Sequence, residues 1–320
     1  MKHRPYLSRM TATVVAIGML AVASGLTAAD TKNGFDVSDA LVPAKQIFWG
    51  GVARDGIPSI NKPNFVAAGD AQFLRSGDRV LGVHRNGIAK AYPIRIMDRH
   101  EVVNDHFDDQ PVTVTYCPLC FSGMTFIREA GQSALTFGVS GLLYNSDVLL
   151  YDHQTGSLWS QLMAKAVSGP FKGTGITPIP TANTTWRNWQ ERFPETLVLS
   201  PDTGFPIVYR DSVYKDYQRS SRLMFPVSAK NRSYRNKDLV LGVILDDTSK
   251  AYPFRELRKN DKTEFDDTIG GESIRIQWDD DEEYARAVDV DGNEITTVIV
   301  YWFAWYAFHP QTDIYQAGSG

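Results

Sequence analysis

The sequence predicts a mainly β protein of the α+β type. It reads as internally duplicated, with two related β-rich halves and a short helical insert between them. Three observations predict this. Short motifs recur in order: Arg79-Val80-Leu81-Gly82-Val83 is echoed by Leu239-Val240-Leu241-Gly242-Val243, and Lys90-Ala91-Tyr92-Pro93-Ile94-Arg95 by Lys250-Ala251-Tyr252-Pro253-Phe254-Arg255. Further on, Phe107-Asp108-Asp109 finds Phe265-Asp266-Asp267, and Gln154-Thr155 finds Gln311-Thr312. Second, Val112-Thr113-Val114-Thr115-Tyr116 and Ile274-Arg275-Ile276-Gln277-Trp278 alternate as half-buried strands do. Third, helix signals are sparse. The clearest is Thr185 as a cap before Trp186, Trp189 and Phe193, stopped by Pro194.

The elements follow in order. Residues 1–29 read as an export signal, with Lys2, Arg4 and Arg9, an apolar stretch over 11–26, and Thr27-Ala28-Ala29 as a small-residue cleavage site. The apolar run falls short of the ~20 residues a membrane span needs. The mature chain is therefore expected to be periplasmic or secreted, with no membrane attachment after cleavage. Residues 30–165 form the first half. Its opening hairpin turns at Asn86-Gly87, a dipeptide suited to a primed turn, and a second hairpin turns near Gly131. Residues 166–238 hold the helical insert and a polar, basic connector with Pro226. Residues 239–320 form the second half, with bends at Asp246-Asp247 and Asp291-Gly292. The cleft between the halves is the expected ligand site.

Composition narrows the function. Hydrophobic residues make up 43% and charged residues 22%, which suits a packed globular chain. Lys+Arg number 33 against Asp+Glu 37, and three of those cations lie in the first 29 residues. A mildly acidic body without a basic block argues against nucleic acid or anionic lipid as partner. No dinucleotide fingerprint or phosphate-cradling loop occurs, so no nucleotide cofactor is expected. His100-Glu101-Val102-Val103-Asn104 has Asn where a zinc-protease helix needs its second His.

The chemistry is expected at Cys117 and Cys120, the only two cysteines. A disulfide framework is excluded, because closing so short a loop restrains little of the unfolded chain. The second half has Asp279-Asp280-Asp281 at the matching place, so only one half carries thiols. Cys117 and Cys120 are the expected soft ligands or redox pair, and His100 is the third ligand or proton partner. Glu101 joins them in the catalytic set, and Glu101 or Asn104 would orient His100. Tyr144, Asn145, Asp147, Asp152 and Trp159 line the expected pocket. Their stretch mixes polar groups with large apolar ones, as partly buried sites do.

Three readings of the cysteine pair stay open. One is a soft transition metal, Cu or Zn, completed by His100, His106 or His153. A second is thiol–disulfide exchange with a periplasmic redox partner. Here Gly and β-formers follow Cys120, rather than the helix whose dipole would lower a thiol pKa. The third is a passive disulfide pinning a turn in a non-catalytic binding or scaffold protein. Whether the chain is an enzyme stays open with them, and the expected partner is a small molecule, a metal or a redox protein.

Several motifs together resemble the DUF3179 family of bacterial exported proteins, a domain of unknown function. They are Tyr92 to Arg95, His100-Glu101-Val102-Val103-Asn104-Asp105, Thr115-Tyr116-Cys117-Pro118-Leu119-Cys120, residues 138–147 and residues 303–308. The resemblance runs over about residues 48–315. Phe121 departs from it, standing where a small residue is expected after the second cysteine. The resemblance implies a shared fold and site and supplies no activity.

Overall fold

Tight turns with positive φ start most of the sheets. Asn86 and Gly87 take φ 53° and 75°, Asp246 and Asp247 take 45° and 63°, and Asn145 and Ser146 take 52° and 66°. Left-handed dihedrals at both central residues match the twist of the flanking strands, so each pair closes a two-residue hairpin. In a computed structural model, residues 1, 30–131, 133–210, 212–260 and 262–318 are described. The expected export signal lies outside them, apart from Met1. Among the described residues no helix is long and apolar enough to cross a membrane.

The hairpins assemble into five small sheets arranged as a five-bladed β-propeller, mostly β with few helices. This corrects the expected architecture of two halves about a helical insert. The reason is visible in two of the blades. One runs Ala182–Thr185, Arg79–Arg85, Ile88–Pro93, Leu197–Leu199 and Phe65–Ala67 in hydrogen-bonded order. The other runs Thr297–Tyr301, Leu239–Leu245, Thr248–Pro253 and Asp313–Ile314. In both, a distant strand adds in parallel, pairing Val198 with Ala91 and Ile314 with Ala251.

The likeness of these blades extends to side chains. Lys90 and Tyr92 both reach Asp105, at 2.8 and 2.6 Å, as Lys250 and Tyr252 reach Asp267. The helix Trp186–Arg192, capped by Thr185, lays Trp189 over Gly82. The helix Trp302–Phe308 lays Trp305 over Gly242. Each indole donates to a threonine, Thr196 or Thr312, at 2.9 Å. The recurring motifs thus mark two similar blades and the sheet that follows each, Val102–Phe107 with Gln110–Cys117 and Glu264–Ile269 with Glu272–Asp279, and the supposed helical insert is one blade's own helix. The partner of Thr312 is Thr196; the match to Gln154-Thr155 does not hold.

A Cβ at Gly82 would run into the Trp189 ring. Gly82→Ala is therefore expected to destabilise the protein by about 1–3 kcal/mol through overpacking. Urea unfolding measures it, and an unchanged midpoint would mean that the indole has room to move.

Two further blades carry the site. The cysteine blade runs Thr177–Ile179, Ser122–Ile127, Gln110–Cys117 and Val102–Phe107. Its neighbour, the Asp147 blade, runs Lys165–Ser168, Leu158–Ser160, Asp147–Asp152, Phe137–Tyr144 and Ile47–Trp49. The fifth sheet pairs Glu264–Ile269, Glu272–Asp279 and Tyr284–Val288. One apolar core links the blades, with Tyr116, Cys117, Cys120, Phe137 and Trp302 inside it. A smaller cluster forms where Phe35, Val37, Val42 and Ile47 cover Leu149 and Tyr151 of the Asp147 blade.

Candidate metal centre

The strands Gln110–Cys117 and Ser122–Ile127 are antiparallel, with Cys117 opposite Ser122. Pro118 and Leu119 begin the turn between them, the Cys120 N–H donates to the Cys117 carbonyl at 3.2 Å, and Phe121 closes it at φ 62°. So tight a turn sets both thiols on one side, 3.8 Å apart. They are free, and both are buried.

A second turn meets them. Asn145 and Ser146 link Phe137–Tyr144 to Asp147–Asp152, and they are held from outside. The Asn145 amide donates to the Ala307 carbonyl and its oxygen accepts from Ser228 N–H. The Ser146 hydroxyl donates to the Phe225 carbonyl. Serine is not favoured in left-handed backbone, so these contacts offset a local strain. The turn aims the Ser146 carbonyl at the thiols, which donate to it from 3.7 Å (Cys117) and 3.2 Å (Cys120). Asp147 follows. Its carboxylate and the two sulfurs lie within 4.8 Å of one another, all buried.

The carboxylate is oriented by neutral donors. Leu162 N–H donates to Asp147 Oδ2 at 3.1 Å, and the Ser122 hydroxyl lies 3.3 Å from Oδ1. That hydroxyl also donates to Gln161 Oε1 at 2.6 Å, and Gln161 Nε2 donates to Thr115 Oγ1 at 2.8 Å. These outer groups hold the ligand set in place.

The electrostatics are one-sided. Burial pushes Asp147 up to about 7 and Glu101 to about 8, the latter helped by the charges of Asp98 and Asp147. Asp98, buried without a well-formed hydrogen bond, is pushed up to about 6, with Ser212 and Arg99 pulling the other way. Burial also raises both thiols, Cys120 the more strongly. Among the described residues no lysine or arginine forms an ion pair with Cys117, Cys120, Glu101 or Asp147. Anionic forms are costly here unless a cation arrives.

Beside the thiols lies a small cavity of about 90 Å³. Glu101, Cys117 and Tyr214 give it polar walls, and Leu119, Val139 and Leu143 give it apolar ones. Glu101 caps the helix Ile94–His100 in left-handed backbone, φ 57°, which carries its side chain away from that of His100.

A family model described as "Protein of unknown function (DUF3179)" matches residues 54–295. The chain belongs to the DUF3179 family. No curated protein and no solved structure matches it.

In this DUF3179 protein the candidate residues separate into groups. Cys117, Cys120 and Asp147 converge, and Glu101 shares the cavity with Cys117. His100, expected as third ligand, is not in the cluster, whose third member is Asp147. Its Nδ1 lies 2.6 Å from the Pro58 carbonyl and its Nε2 2.5 Å from the Tyr209 hydroxyl, so both nitrogens are engaged. Burial lowers its pKa, which suits a neutral ring tethering two loops. His106 meets Arg128 at 2.9 Å, and His153 stacks on Tyr151.

The other expected pocket residues of the DUF3179 chain serve its frame. Asn104 bonds Asn61 and both backbone groups of Phe137. Tyr144 packs edge-on against Phe308, and Asn145 holds the turn. The Trp159 indole donates to Asp152 at 2.9 Å, and Asp152 also accepts from Thr155. Sequence reasoning placed Asp147 in the pocket without making it a ligand, and it missed Ser122, Gln161 and Asp98. The pair Asn145-Ser146 was the available signal, a primed turn that delivers the next residue's side chain to a fixed place.

Proposed function

We propose that this protein binds one zinc ion between Cys117, Cys120 and Asp147, with the adjoining cavity taking a small ligand. The observation that carries the reading is three groups able to act as anionic ligands, buried within 4.8 Å of one another, with no cation paired to them among the described residues. The separation of the sulfurs supports it. Two thiolates at about 2.3 Å from a tetrahedral ion stand about 3.8 Å apart, which is the spacing here. The donor set favours zinc over Cu(I), because a hard carboxylate adds little to a soft monovalent ion and suits a borderline divalent one.

A zinc ion with three protein ligands keeps a position for water or substrate and supplies Lewis acidity there. Glu101, on the cavity wall beside Cys117, is the residue placed to exchange a proton with a ligand in the cavity. Thiol–disulfide exchange has less support. It needs a thiolate, and burial raises both thiols. A passive disulfide would have to draw the sulfurs in to about 2.05 Å. In the exported setting the sequence predicts, a bound ion would guard the pair against that oxidation.

The test is metal analysis and competitive titration of the purified, reduced chain with zinc and with Cu(I). One zinc per chain is expected, weakened at least 100-fold in Cys120→Ser and clearly weakened in Asp147→Asn. A reduced wild-type chain that holds no zinc would sink the reading. Tight Cu(I) binding indifferent to Asp147→Asn would replace zinc with copper on the two sulfurs alone.

A further inference from the structure

Next to Phe121, just past the cysteine turn, the chain forms an open cleft of about 610 Å³. Its walls come from two of the blades, the connector before residue 239, and Phe121, the residue after Cys120. Five cations face it: Arg79, Arg235, Lys237, Arg255 and Arg258. Only two carboxylates line it, Asp238 and Glu283.

The way these cations are held matters more than their number. Arg258 is satisfied by acids, at 2.6 Å from Glu283 and 2.7 Å from Asp280. Arg79 and Lys237 are fixed by neutral acceptors instead. Arg79 donates to the Asn183 side chain at 3.0 Å and to the Glu282 carbonyl at 3.3 Å, and its guanidinium lies 5.4 Å from the Phe121 ring centre. Lys237 donates to the carbonyls of Ser220, at 2.6 Å, and Arg222, at 3.0 Å. Neither side chain forms an ion pair among the described residues, although Glu283 and Glu282 lie near enough to Arg79 to favour its charge against the cost of burial. Arg255 reaches Asp238 only at 3.9 Å. Arg235 is exposed at the rim, and its backbone N–H rather than its guanidinium takes Asp238.

One wall is aromatic. Phe121 and Tyr301 lie with ring centres 5.4 Å apart and planes 30° from parallel; both are largely buried, 9% and 6% exposed, and their edges form a narrow shelf beside the guanidinium groups. The shelf is fixed to the cysteine turn, since the Tyr301 N–H donates to the Cys120 carbonyl at 2.9 Å. It also gives Phe121 a role: a small residue there would remove half of the shelf.

We propose that this cleft binds a small organic oxyanion, a carboxylate or phosphate joined to a flat ring. Arg235 and Arg255 take the anionic group in the field of Arg79 and Lys237, and the ring meets the exposed edges of Phe121 and Tyr301. Guanidinium groups suit either oxyanion, because their paired N–H groups match both geometries. This site does not rest on the zinc reading, since none of its groups is a proposed ligand.

The experiment is isothermal titration of the full chain at low ionic strength with benzoate, phenyl phosphate and neutral benzamide. Saturable binding of benzoate or phenyl phosphate is expected, and whichever binds tighter identifies the oxyanion. Benzamide should bind at least tenfold more weakly. The double variant Arg235→Ala/Arg255→Ala should lose at least tenfold in affinity while keeping the wild-type unfolding midpoint, because both side chains are exposed and neither forms a close ion pair among the described residues. Phe121→Gly should weaken phenyl phosphate more than inorganic phosphate. No saturable binding of either anion, equal binding of benzamide, or a double variant that binds like the wild type would each overturn the proposal.

Discussion

Raising the pH from 6.5 to 8.5 is expected to weaken the metal-free protein by about 2–3 kcal/mol, with Glu101 and Asp147 as the source. The sign follows from where the protons sit. In the folded chain Glu101 titrates at about 8 and Asp147 at about 7, whereas unfolding returns both to the ordinary range near 4. Between those values the folded state binds more protons than the unfolded one. The stability from keeping these acids neutral is therefore complete at low pH and is lost as the pH rises through the folded values. The two histidines with lowered pKa, His100 and His309, act in the opposite sense, but only up to about 6.5 where unfolded imidazole titrates. The window starts there for that reason.

Glu101→Gln separates the contributions. The amide keeps the size of the side chain and removes the titration, so the fall should shrink to about a third of its wild-type size. At pH 8.5 the variant should be more stable than the wild type, the usual sign of a residue kept for function rather than for the fold. Saturating zinc should cancel or reverse the wild-type fall, because an ion that displaces protons from its ligands binds more tightly as pH rises. Urea midpoints at the two pH values, with and without zinc, settle it. A wild-type slope that Glu101→Gln leaves unchanged would place the titrating group elsewhere.

Local structure was legible in the sequence wherever chemistry between neighbours decides it. Asn86-Gly87 makes its primed turn, and Thr185 accepts from Asn188 N–H as the cap of its helix. The alternating stretches form strands, but only Glu272–Asp279 is half-buried as expected; Gln110–Cys117 is buried on both faces because it lies inside the propeller core. The architecture was not legible, because recurring motifs describe two halves of a molecule or repeated blades of one propeller equally well. Only the partners of Arg79–Arg85 and Leu239–Leu245 decide between them, and those strands come from about 100 and 60 residues away in sequence. The site was half legible for a related reason. A turn of four residues declares two thiols by their spacing, but a ligand from another sheet has no spacing to read. His100 and Glu101 show the limit most sharply. They are adjacent in sequence, yet the left-handed backbone at Glu101 sends one side chain to the Pro58 and Tyr209 loops and the other to the cavity.

Asn104→Ala should cost about 2–4 kcal/mol and weaken zinc binding about 10- to 100-fold, although Asn104 touches no proposed ligand. Asn104 stands on Val102–Phe107 in the cysteine blade and serves Phe137 on the Asp147 blade twice. Its Oδ1 accepts from Phe137 N–H at 3.0 Å, and its Nδ2 donates to the Phe137 carbonyl at 2.8 Å and to Asn61 at 2.7 Å. Truncation leaves both backbone groups of Phe137 buried without these partners, and that loss dominates the stability cost. The same bonds fix how the two blades meet. The thiols belong to one blade and the carboxylate to the other, so a shift of a few tenths of an ångström between them is felt directly in the ligand spacing. Trp159→Phe is the control. It removes the indole bond to Asp152 within a single blade, so it should lower stability while leaving zinc affinity within about twofold. Equal losses of affinity in the two variants would mean that ion binding follows overall stability, and that Asn104 does nothing special in aligning the blades.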